Sequence, residues 1–256
     1  MRIVIIGTGN TATVLGKLFQ KAGHTIIQVF GRTGQQTEEL AAFFHTSFTI
    51  DQKQLNPTAD IYLVAVSDNA IGAISSWLRV GNKLVVHTAG SVESAMLACC
   101  SKNYGVLYPL QSLRKETDYL PEIPFLVTGN TQESSTLIFD FAKTVSEQVE
   151  LADDNKRRMC HIAAIMAGNF INHLYVAAED FCKKEKIDFR MLLPLITETA
   201  GRLNKFLPGQ VQTGPAMRND TTTIEKHISL LESFPWQQSI YKYFTQSIQQ
   251  WYNSKI

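Results

Sequence analysis

The sequence has 256 residues, of which 45% are hydrophobic and 18% charged, a composition typical of a globular protein with one large domain or two modest ones. Its formal net charge of +1 excludes a global field that would attract nucleic acid or an acidic membrane surface. No stretch approaches the roughly 20 apolar residues that a membrane helix requires, and the apolar run at residues 3–6 is too short for a signal peptide.

In the first half of the chain, short β-rich runs alternate with amphipathic runs. Strands are predicted over residues 3–6, 25–30, 61–66, 84–87, 106–108, 125–127 and 148–151. Helices are predicted over residues 11–22, 35–44, 70–78, 91–100 and 133–143. This alternation predicts βαβ units and a Rossmann-type, mainly parallel sheet.

Near residue 152 the pattern changes to helices alone. Residues 153–186 carry apolar side chains at helical spacing almost without a helix breaker, which predicts one long helix. Further helices are predicted over residues 191–206, 222–231 and 236–252, with a loop at 208–220. Thr222 and Glu225 have the spacing of a capping box. We therefore expect an α/β fold with a Rossmann domain at 1–152 and an all-α domain at 153–256.

The four cysteines, Cys99, Cys100, Cys160 and Cys182, show neither a CxxC pair nor zinc-ligand spacing. Their spacing favours free thiols in a reducing compartment over a disulfide framework. We expect a soluble, cytoplasmic protein without a metal site.

The turn after the first strand carries the clearest functional motif. Gly7-Thr8-Gly9-Asn10-Thr11-Ala12 matches G-x-G-x-x-A, follows a buried strand and opens a helix, as a dinucleotide-binding turn requires. The first glycine allows the tight turn, the second lets the backbone approach a pyrophosphate, and Ala12 allows close helix–strand packing. The alternative is an ordinary glycine-rich βα turn.

The end of the second strand distinguishes NAD from NADP. NAD enzymes usually place a carboxylate there, whereas NADP enzymes tend to offer arginine to the 2′-phosphate. The sequence reads Phe30-Gly31-Arg32-Thr33, with no carboxylate before Glu38. Arg32 and Thr33 therefore predict NADP(H), unless Arg32 is only a solvated loop residue.

Two later strand ends are expected to reach the same cofactor. The segment Ala65-Val66-Ser67-Asp68 lies at the carboxyl end of the third strand, and His87-Thr88-Ala89-Gly90 lies at the end of the fourth. Ligands of open α/β sheets bind at the carboxyl ends of strands. The alternative is that both segments are simple turns and that Asp68 caps the next helix.

Polar residues in the second half are candidates for the chemistry. His161 and Asn169 interrupt an apolar stretch of the long helix, and at 100° per residue they share a broad face with Asn172. His161 is a candidate proton donor, and Asn169 a candidate for holding the reacting oxygen or nitrogen. The alternative for His161 is a packing role in a subunit interface.

The loop before the helix at 222–231 adds a further candidate. Arg218 is suited to clamping a substrate carboxylate. The alternative is that Arg218 pairs with Asp220, which would then cap the following helix.

The sequence resembles the NADP oxidoreductases with a Rossmann-like N-terminal domain and a C-terminal helical domain of unknown function. These are relatives of pyrroline-5-carboxylate reductase and 6-phosphogluconate dehydrogenase. The resemblance spans nearly the whole chain. It is carried by the motifs above together with Tyr108-Pro109-Leu110-Gln111-Ser112, Thr213-Gly214-Pro215 and His227.

The resemblance implies a second domain like the C-terminal domain of 6-phosphogluconate dehydrogenase. It also implies a homodimer through that domain, an active site between the domains, and a nicotinamide near Val66, Thr88 and Pro109. One feature departs from the related β-hydroxyacid dehydrogenases, which carry a catalytic lysine four residues before an asparagine. Ile165 and Gly168 occupy the corresponding positions here, so that chemistry is not carried over.

These observations predict an NADP-dependent oxidoreductase that transfers a hydride between the nicotinamide and a small carbonyl or imine substrate. Pro109, Asn172 and Arg218 are the candidate substrate residues. The alternative is a non-catalytic NADP(H)-binding sensor or regulatory module. A third possibility is a deazaflavin-linked NADP reductase, for which the sequence holds no specific signal.

Overall fold

The computed structural model describes residues 1–254. Residue contacts divide the chain into two compact units, Met1–Asn169 and Phe170–Ile256. The domain boundary predicted at residue 152 follows the last strand of the sheet, whereas the first unit also includes the next helix. That boundary stays a prediction.

An eight-stranded sheet is the framework of the first unit, with the strand order β3-β2-β1-β4-β5-β6-β7-β8. Neighbouring strands are parallel except β6 and β7, which are antiparallel. The strands are β1 (Arg2–Ile6), β2 (Thr25–Phe30), β3 (Ser47–Thr49), β4 (Ile61–Val64), β5 (Leu84–His87), β6 (Asn103–Pro109), β7 (Phe125–Gly129) and β8 (Val149–Leu151).

Helices cover both faces of this sheet. They are α1 (Asn10–Lys21), α2 (Gly34–Phe43), α3 (Asp68–Trp77), α4 (Gln132–Lys143) and α5 (Asp154–Ala164). Along β1, Ile3 and Ile5 belong to one buried cluster with residues of α1, whereas Val4 and Ile6 belong to another with Ile71 of α3. Successive side chains of a strand point to opposite faces, so a continuous apolar run is what a sheet covered on both sides requires.

The second unit is helical. Its helices are α6 (Ile171–Lys184), α7 (Leu193–Gly201), α8 (Thr221–Leu230) and α9 (Pro235–Asn253). None of the helices in the described part of the chain combines the length and apolar character that crossing a membrane requires. The predicted α/β class, a mainly parallel Rossmann-type sheet followed by a helical part, is confirmed.

The long helix predicted over residues 153–186 is present as three consecutive helical segments. Between α5 and α6, Ile165–Phe170 forms a π-helical segment. The shared face of His161, Asn169 and Asn172 was derived from 100° per residue, and that geometry does not hold through a π segment. The helix predicted over 191–206 is also shorter, because short 3-10 turns flank α7.

The helix predicted over residues 91–100 is wrong, since only a 3-10 turn forms at Ser94–Leu97. Side chains of β5 and α5 bind backbone carbonyls that would otherwise accept the hydrogen bonds of such a helix. Arg157 donates to the carbonyl of Val92, and Nε2 of His87 lies 3.4 Å from the carbonyl oxygen of Glu93. Tertiary hydrogen bonds therefore override the local helical pattern.

Two smaller corrections concern β3 and α8. The sequence pattern missed β3, whose three residues are too few for a recognisable alternation. The capping box of Thr222 and Glu225 does not form. Asp220 caps α8 instead, as the alternative for that loop proposed, by accepting from the backbone N–H of Thr223 at 3.1 Å.

Candidate functional site

The carboxyl ends of the parallel strands meet at one edge of the sheet. Gly7 follows β1 there and donates its backbone N–H to the carbonyl of Phe30 at the end of β2, at 2.8 Å. Ala65 follows β4 and donates to the carbonyl of Ile6, at 2.8 Å. The three strand ends are therefore tied together beneath the glycine-rich turn.

Glycine is required at two positions of this edge. Gly7 has φ of +125°, and a Cβ on it would collide with the carbonyl oxygen of Ala65. A Cβ on Gly31 would collide with the hydroxyl of Thr37 and lie 2.9 Å from Cγ2 of Thr8. A side chain on Gly7 would push the turn after β1 away from the segment after β4. A side chain on Gly31 would push the loop after β2 away from α2 and from the turn after β1. The two glycines therefore permit these close approaches.

The first turn of α1 is open to a ligand. Its N-cap is Gly9, which has no side chain to accept from the first-turn N–H groups. Free N–H groups at a helix N-terminus, together with the helix dipole, attract an anion. The adjacent hydroxyl of Thr13 is occupied locally, donating to the carbonyl of Gly9 at 3.0 Å.

The loop after β2 presents a cation. Arg32 and Thr33 are exposed, and within residues 1–254 no hydrogen bond or ion pair of the Arg32 guanidinium occurs. Thr33 donates its hydroxyl to the side-chain oxygen of Gln36 at 3.1 Å. The guanidinium is therefore available for an anionic group of a ligand.

A cavity of about 790 Å³ opens over this edge of the first unit. It is lined by residues from the strand ends and from the helices that follow them. The predicted cofactor residues that line it are Gly7, Thr8, Gly9, Asn10, Thr11, Arg32, Thr33, Ala65, Val66, Ser67 and Thr88. Ala12 does not line it, because this residue is fully buried in the core.

His161 of α5 lines the same cavity and forms a pair with Tyr108 of β6. The Tyr108 hydroxyl lies 2.8 Å from Nδ1 of His161, and the two rings meet edge to face with centroids 5.7 Å apart. Gly90 lies against both rings, since a Cβ on it would come within 2.7 Å of Cγ and Nδ1 of His161. Burial raises the pKa of the Tyr108 hydroxyl, with smaller contributions in the same direction from Cys160 and Asp68.

Tyr108 lines the cavity together with Asp68 and Gly90, which belong to the two strand-end segments expected to reach the cofactor. Tyr108 was not a predicted site residue. Tyr108 precedes Pro109 at the carboxyl end of a predicted strand, and this position was the available signal. The pairing itself joins residues 53 positions apart and has no signature in the sequence. Asp68, expected as a possible N-cap, instead accepts a hydrogen bond from the hydroxyl of Ser91, while Ser67 is the N-cap of α3.

A buried arginine fastens the segment after β5 to α5. Arg157 has no solvent exposure and forms an ion pair with Asp154 at 2.7 Å. Its guanidinium also donates to the carbonyls of Gly90 and Val92. Burial by itself would raise the pKa of Asp154, but hydrogen bonds from Arg157 and Ser94 lower it on balance. Charge and hydrogen bonds thus fix the backbone on which Gly90 lies.

His87 lies beneath this segment in a neutral form. Its Nδ1 accepts from the backbone N–H of Ala89 at 3.2 Å, which leaves Nε2–H to face the Glu93 carbonyl. Burial, and then the nearby charge of Arg157, lower its pKa to about 4. His87 is therefore a structural residue and not a proton donor at neutral pH.

The remaining predicted site residues lie elsewhere. In the part of the chain that the structure describes, Pro109 is buried and Asn169 is exposed, and neither lines the cavity. Asn172 and Arg218 belong to the second unit and are exposed. Their roles, like the other residue roles at the site, stay predictions. Within residues 1–254, no group of three or more His, Cys, Asp or Glu side chains is placed to hold a metal ion.

The fold and this cavity define a class: a Rossmann-type dinucleotide-binding protein whose sheet unit is followed by a helical unit. Comparison with protein families agrees. Residues 2–90 match the family described as "NADP oxidoreductase coenzyme F420-dependent", and residues 123–248 match a domain of unknown function (DUF2520). Comparison with the curated proteins gave no match.

A solved structure from Bacteroides fragilis, described as a "putative NADP oxidoreductase", is 35% identical to the chain. The match covers 97% of this chain and 98% of that one, with a TM-score of 0.90. The chain therefore belongs to this family of NADP oxidoreductases. The predicted family, the oxidoreductase class and the cofactor NADP are confirmed.

Two more distant structures share the fold. A 1-pyrroline-5-carboxylate reductase from Streptococcus pyogenes is 15% identical, with 98% of each chain covered and a TM-score of 0.65. A reductive aminase from Aspergillus terreus, solved with NADPH and ethyl-5-oxohexanoate, is 14% identical, with 97% of this chain and 92% of that one covered and a TM-score of 0.70.

The residues at the cavity fit NADP. The Gly7 cradle and the uncapped first turn of α1 suit a pyrophosphate, and Arg32 is a free cation at the end of β2, where a 2′-phosphate is expected. The loop Gly31-Arg32-Thr33 carries no carboxylate of the kind that NAD enzymes place at this strand end. The geometry therefore supports the phosphorylated cofactor rather than NAD.

Proposed function

We propose that the protein reduces or oxidises a small carbonyl or imine compound with NADP(H). The observation that carries this proposal is that one cavity of the first unit is lined both by the dinucleotide-binding turn and by the Tyr108–His161 pair. The nicotinamide supplies or accepts the hydride when the cofactor is bound. A proton must then reach or leave the oxygen or nitrogen of the substrate, and His161, which lines the cavity, is the proposed group for that transfer.

In this proposal, each part of the cavity has a separate role. The turn at Gly7, Thr8 and Gly9 holds the pyrophosphate, and Arg32 with Thr33 holds the 2′-phosphate. Val66 and Thr88 lie at the ends of the middle strands, where they would flank the nicotinamide. Asn169, Asn172, Pro109 and Arg218 remain candidates for orienting the substrate.

Calorimetric titration with NADPH and with NADH tests the cofactor part of the proposal. NADPH is expected to bind more tightly. Arg32→Ala should weaken NADPH binding about 10- to 100-fold, because a charge-assisted hydrogen bond contributes about 1.5–3 kcal/mol. NADH affinity should hardly change. Arg2→Ala is the matched control, since Arg2 begins β1 at the strand end opposite to Gly7. Equal NADPH and NADH affinities would contradict the proposal.

A turnover assay with a panel of carbonyl and imine compounds tests the chemistry. Oxidation of NADPH by one compound class, lost in His161→Ala with unchanged NADPH affinity, is the expected result. Oxidised coenzyme F420 belongs in the panel because the family description names it. Hydride acceptance by F420 alone would replace the proposed substrate class. NADPH binding without any turnover would favour a sensor or regulatory module.

We infer in addition that the protein is a homodimer through its helical part. The support is the number of large apolar side chains that the described part of the second unit leaves exposed. Those exposed by more than 55% of their surface are Phe170, Met191, Leu195, Leu207, Leu230, Tyr243 and Trp251. Exposed apolar side chains that form a contiguous patch are typical of an interface, and the proposal requires these residues to form one. The cytoplasm stays the expected compartment, on the cysteine spacing alone.

A further inference from the structure

The two ring nitrogens of His161 differ in their hydrogen bonding. Nδ1 lies 2.8 Å from the Tyr108 hydroxyl. Within residues 1–254, Nε2 has no hydrogen-bond partner, and the ring lines the dinucleotide cavity. Nε2 is therefore the nitrogen left to meet a bound molecule.

We propose that Tyr108 is a positioning residue that donates its O–H to Nδ1 of His161, so that Nε2 carries the proton delivered to the substrate. This inference rests on the proposed function and deepens it. A neutral imidazole has one donor and one acceptor nitrogen, and the hydrogen bond at one nitrogen selects the state of the other.

Each proton that moves in this step has a named donor and a named acceptor. The substrate oxygen or nitrogen takes the proton from Nε2 as it receives the hydride, and the O–H proton of Tyr108 moves to Nδ1. His161 stays neutral, Tyr108 becomes a tyrosinate, and the tyrosinate then takes a proton from water. In the oxidative direction every transfer is reversed.

The surroundings of Tyr108 suit this role. Its side chain is only 7% exposed, and burial raises its pKa, so the hydroxyl holds its proton in the resting pair and is the donor to Nδ1. The same burial disfavours the tyrosinate formed in the step and returns it to the protonated hydroxyl. The charged and titratable groups that act on it are Cys160 and Arg157 of α5 and Asp68 of α3. Cys160 and Asp68 reinforce the effect of burial, and Arg157 opposes it.

The first measurement needs no substrate. Long-range 1H–15N spectra of 15N-histidine-labelled protein report which nitrogen of each of the six histidines carries a proton. At about pH 8.5, where a free imidazole is neutral, His161 should show the Nε2–H tautomer alone, and Tyr108→Phe should show a mixture of both tautomers. An Nδ1–H tautomer in the wild type would overturn the proposal, because Tyr108 would then be the acceptor.

The second measurement is kcat and KM with the compound that the panel identifies. Tyr108→Phe should lower kcat about 10- to 100-fold, within the range for a proton-transfer group, and leave the KM for NADPH unchanged. An unchanged kcat, or a loss of kcat with the wild-type tautomer of His161 retained, would mean that Tyr108 serves only packing, and the proposal would fail.

Two variants serve as controls. Tyr62→Phe removes another buried hydroxyl, which donates to the carbonyl of Asn56 at 2.7 Å, and should leave kcat and the tautomer of His161 unchanged. Tyr241→Phe breaks a similar pair in the second unit, where the Tyr241 hydroxyl lies 2.8 Å from Nδ1 of His227. It should alter the signals of His227 and leave those of His161 unchanged.

Failure of this inference differs from failure of the proposed function. If NADPH does not bind, or if no compound is turned over, the proposed function fails while the tautomer of His161 is still measured. If the Tyr108→Phe variant oxidises NADPH at the wild-type rate, the function stands and the role of Tyr108 is refuted.

Discussion

Gly90 decides how closely His161 can approach the segment after β5. A Cβ at this position would lie 2.7 Å from Cγ and Nδ1 of His161 and 3.0 Å from Cε2 of Tyr108. These atoms belong to two ring systems that are packed edge to face, and a ring cannot yield as a flexible chain end can. The absence of a side chain at Gly90 thus permits the Tyr108–His161 pair.

We predict that Gly90→Ala separates this pair. The variant should lose the single Nε2–H tautomer of His161 in the nitrogen spectra and lower turnover as Tyr108→Phe does. Overpacking of this kind costs about 1–3 kcal/mol of unfolding free energy, which urea titration measures. Gly72→Ala in α3 is the control, since a Cβ there meets nothing within 4 Å. If Gly90→Ala keeps the wild-type tautomer, the contact is not limiting.

At the residue scale, the sequence predicted the binding turn well because its requirements are local. Gly7, Gly9 and Ala12 are adjacent in the chain, and each meets its requirement within one strand, one turn and one helix. The Tyr108–His161 pair is a contact between β6 and α5, and it depends on how the whole sheet places those elements. Tyr108 was not a predicted site residue for that reason, and Gly90 was expected only as part of a segment near the cofactor.

At the scale of elements, the segment from His87 to Leu97 shows that tertiary contacts can override a helix predicted from the local sequence. Its sequence predicts a helix over 91–100, yet Arg157, His87 and Asp154 bind its backbone groups, and only a 3-10 turn forms. These three side chains come from β5 and α5. The predicted helix assumed that the segment satisfies its own hydrogen bonds.

His87 makes the stability of this region depend on pH. Its pKa is about 4 in the folded protein and near 6.5 in the unfolded chain, so between these values only the unfolded chain binds the proton. Stability is therefore complete above pH 6.5 and is lost as the pH falls toward 4. The loss between pH 7.5 and pH 5 is about 2 kcal/mol.

Urea unfolding at the two pH values measures this loss. His87→Asn keeps an acceptor for the N–H of Ala89 but cannot be protonated, so this variant should be less stable at pH 7.5 and lose about 2 kcal/mol less on acidification. His24 also has a lowered pKa, through burial and the N-terminal charge, and it contributes equally to both proteins. Equal losses in the wild type and in His87→Asn would show that His87 is not the source.

For the molecule as a whole, the parallel part of the sheet was predictable and the change of direction was less so. Helices or crossover segments separate the successive parallel strands, as parallel pairing requires. Between β6 and β7, residues 110–124 contain no helix, and the two strands are antiparallel. The missing helix was a usable signal for this reversal, which the predicted, mainly parallel sheet did not locate.

The exposure of apolar residues in the second unit is the feature that the sequence explains least. Its helices carry apolar residues at the spacing of core positions, yet Met191 is 75% exposed, Leu195 61% and Trp251 56%. The sequence cannot distinguish a residue buried within one chain from one buried against a second copy, because both require the same apolar periodicity. The exposure of these residues is the physical reason for expecting a partner subunit.

We predict that light scattering at micromolar concentration gives twice the chain mass of 28.7 kDa. Leu195→Glu in α7 should shift the protein toward the monomer, because a buried carboxylate in an apolar interface is strongly disfavoured. Tyr119→Glu is the matched control, since Tyr119 is 69% exposed but belongs to the first unit. A monomeric wild type would leave the apolar surface of the second unit in water and refute the dimer. A Leu195→Glu dimer as stable as the wild type would move the interface away from α7, with the remaining exposed residues of α8 and α9 as its next candidates.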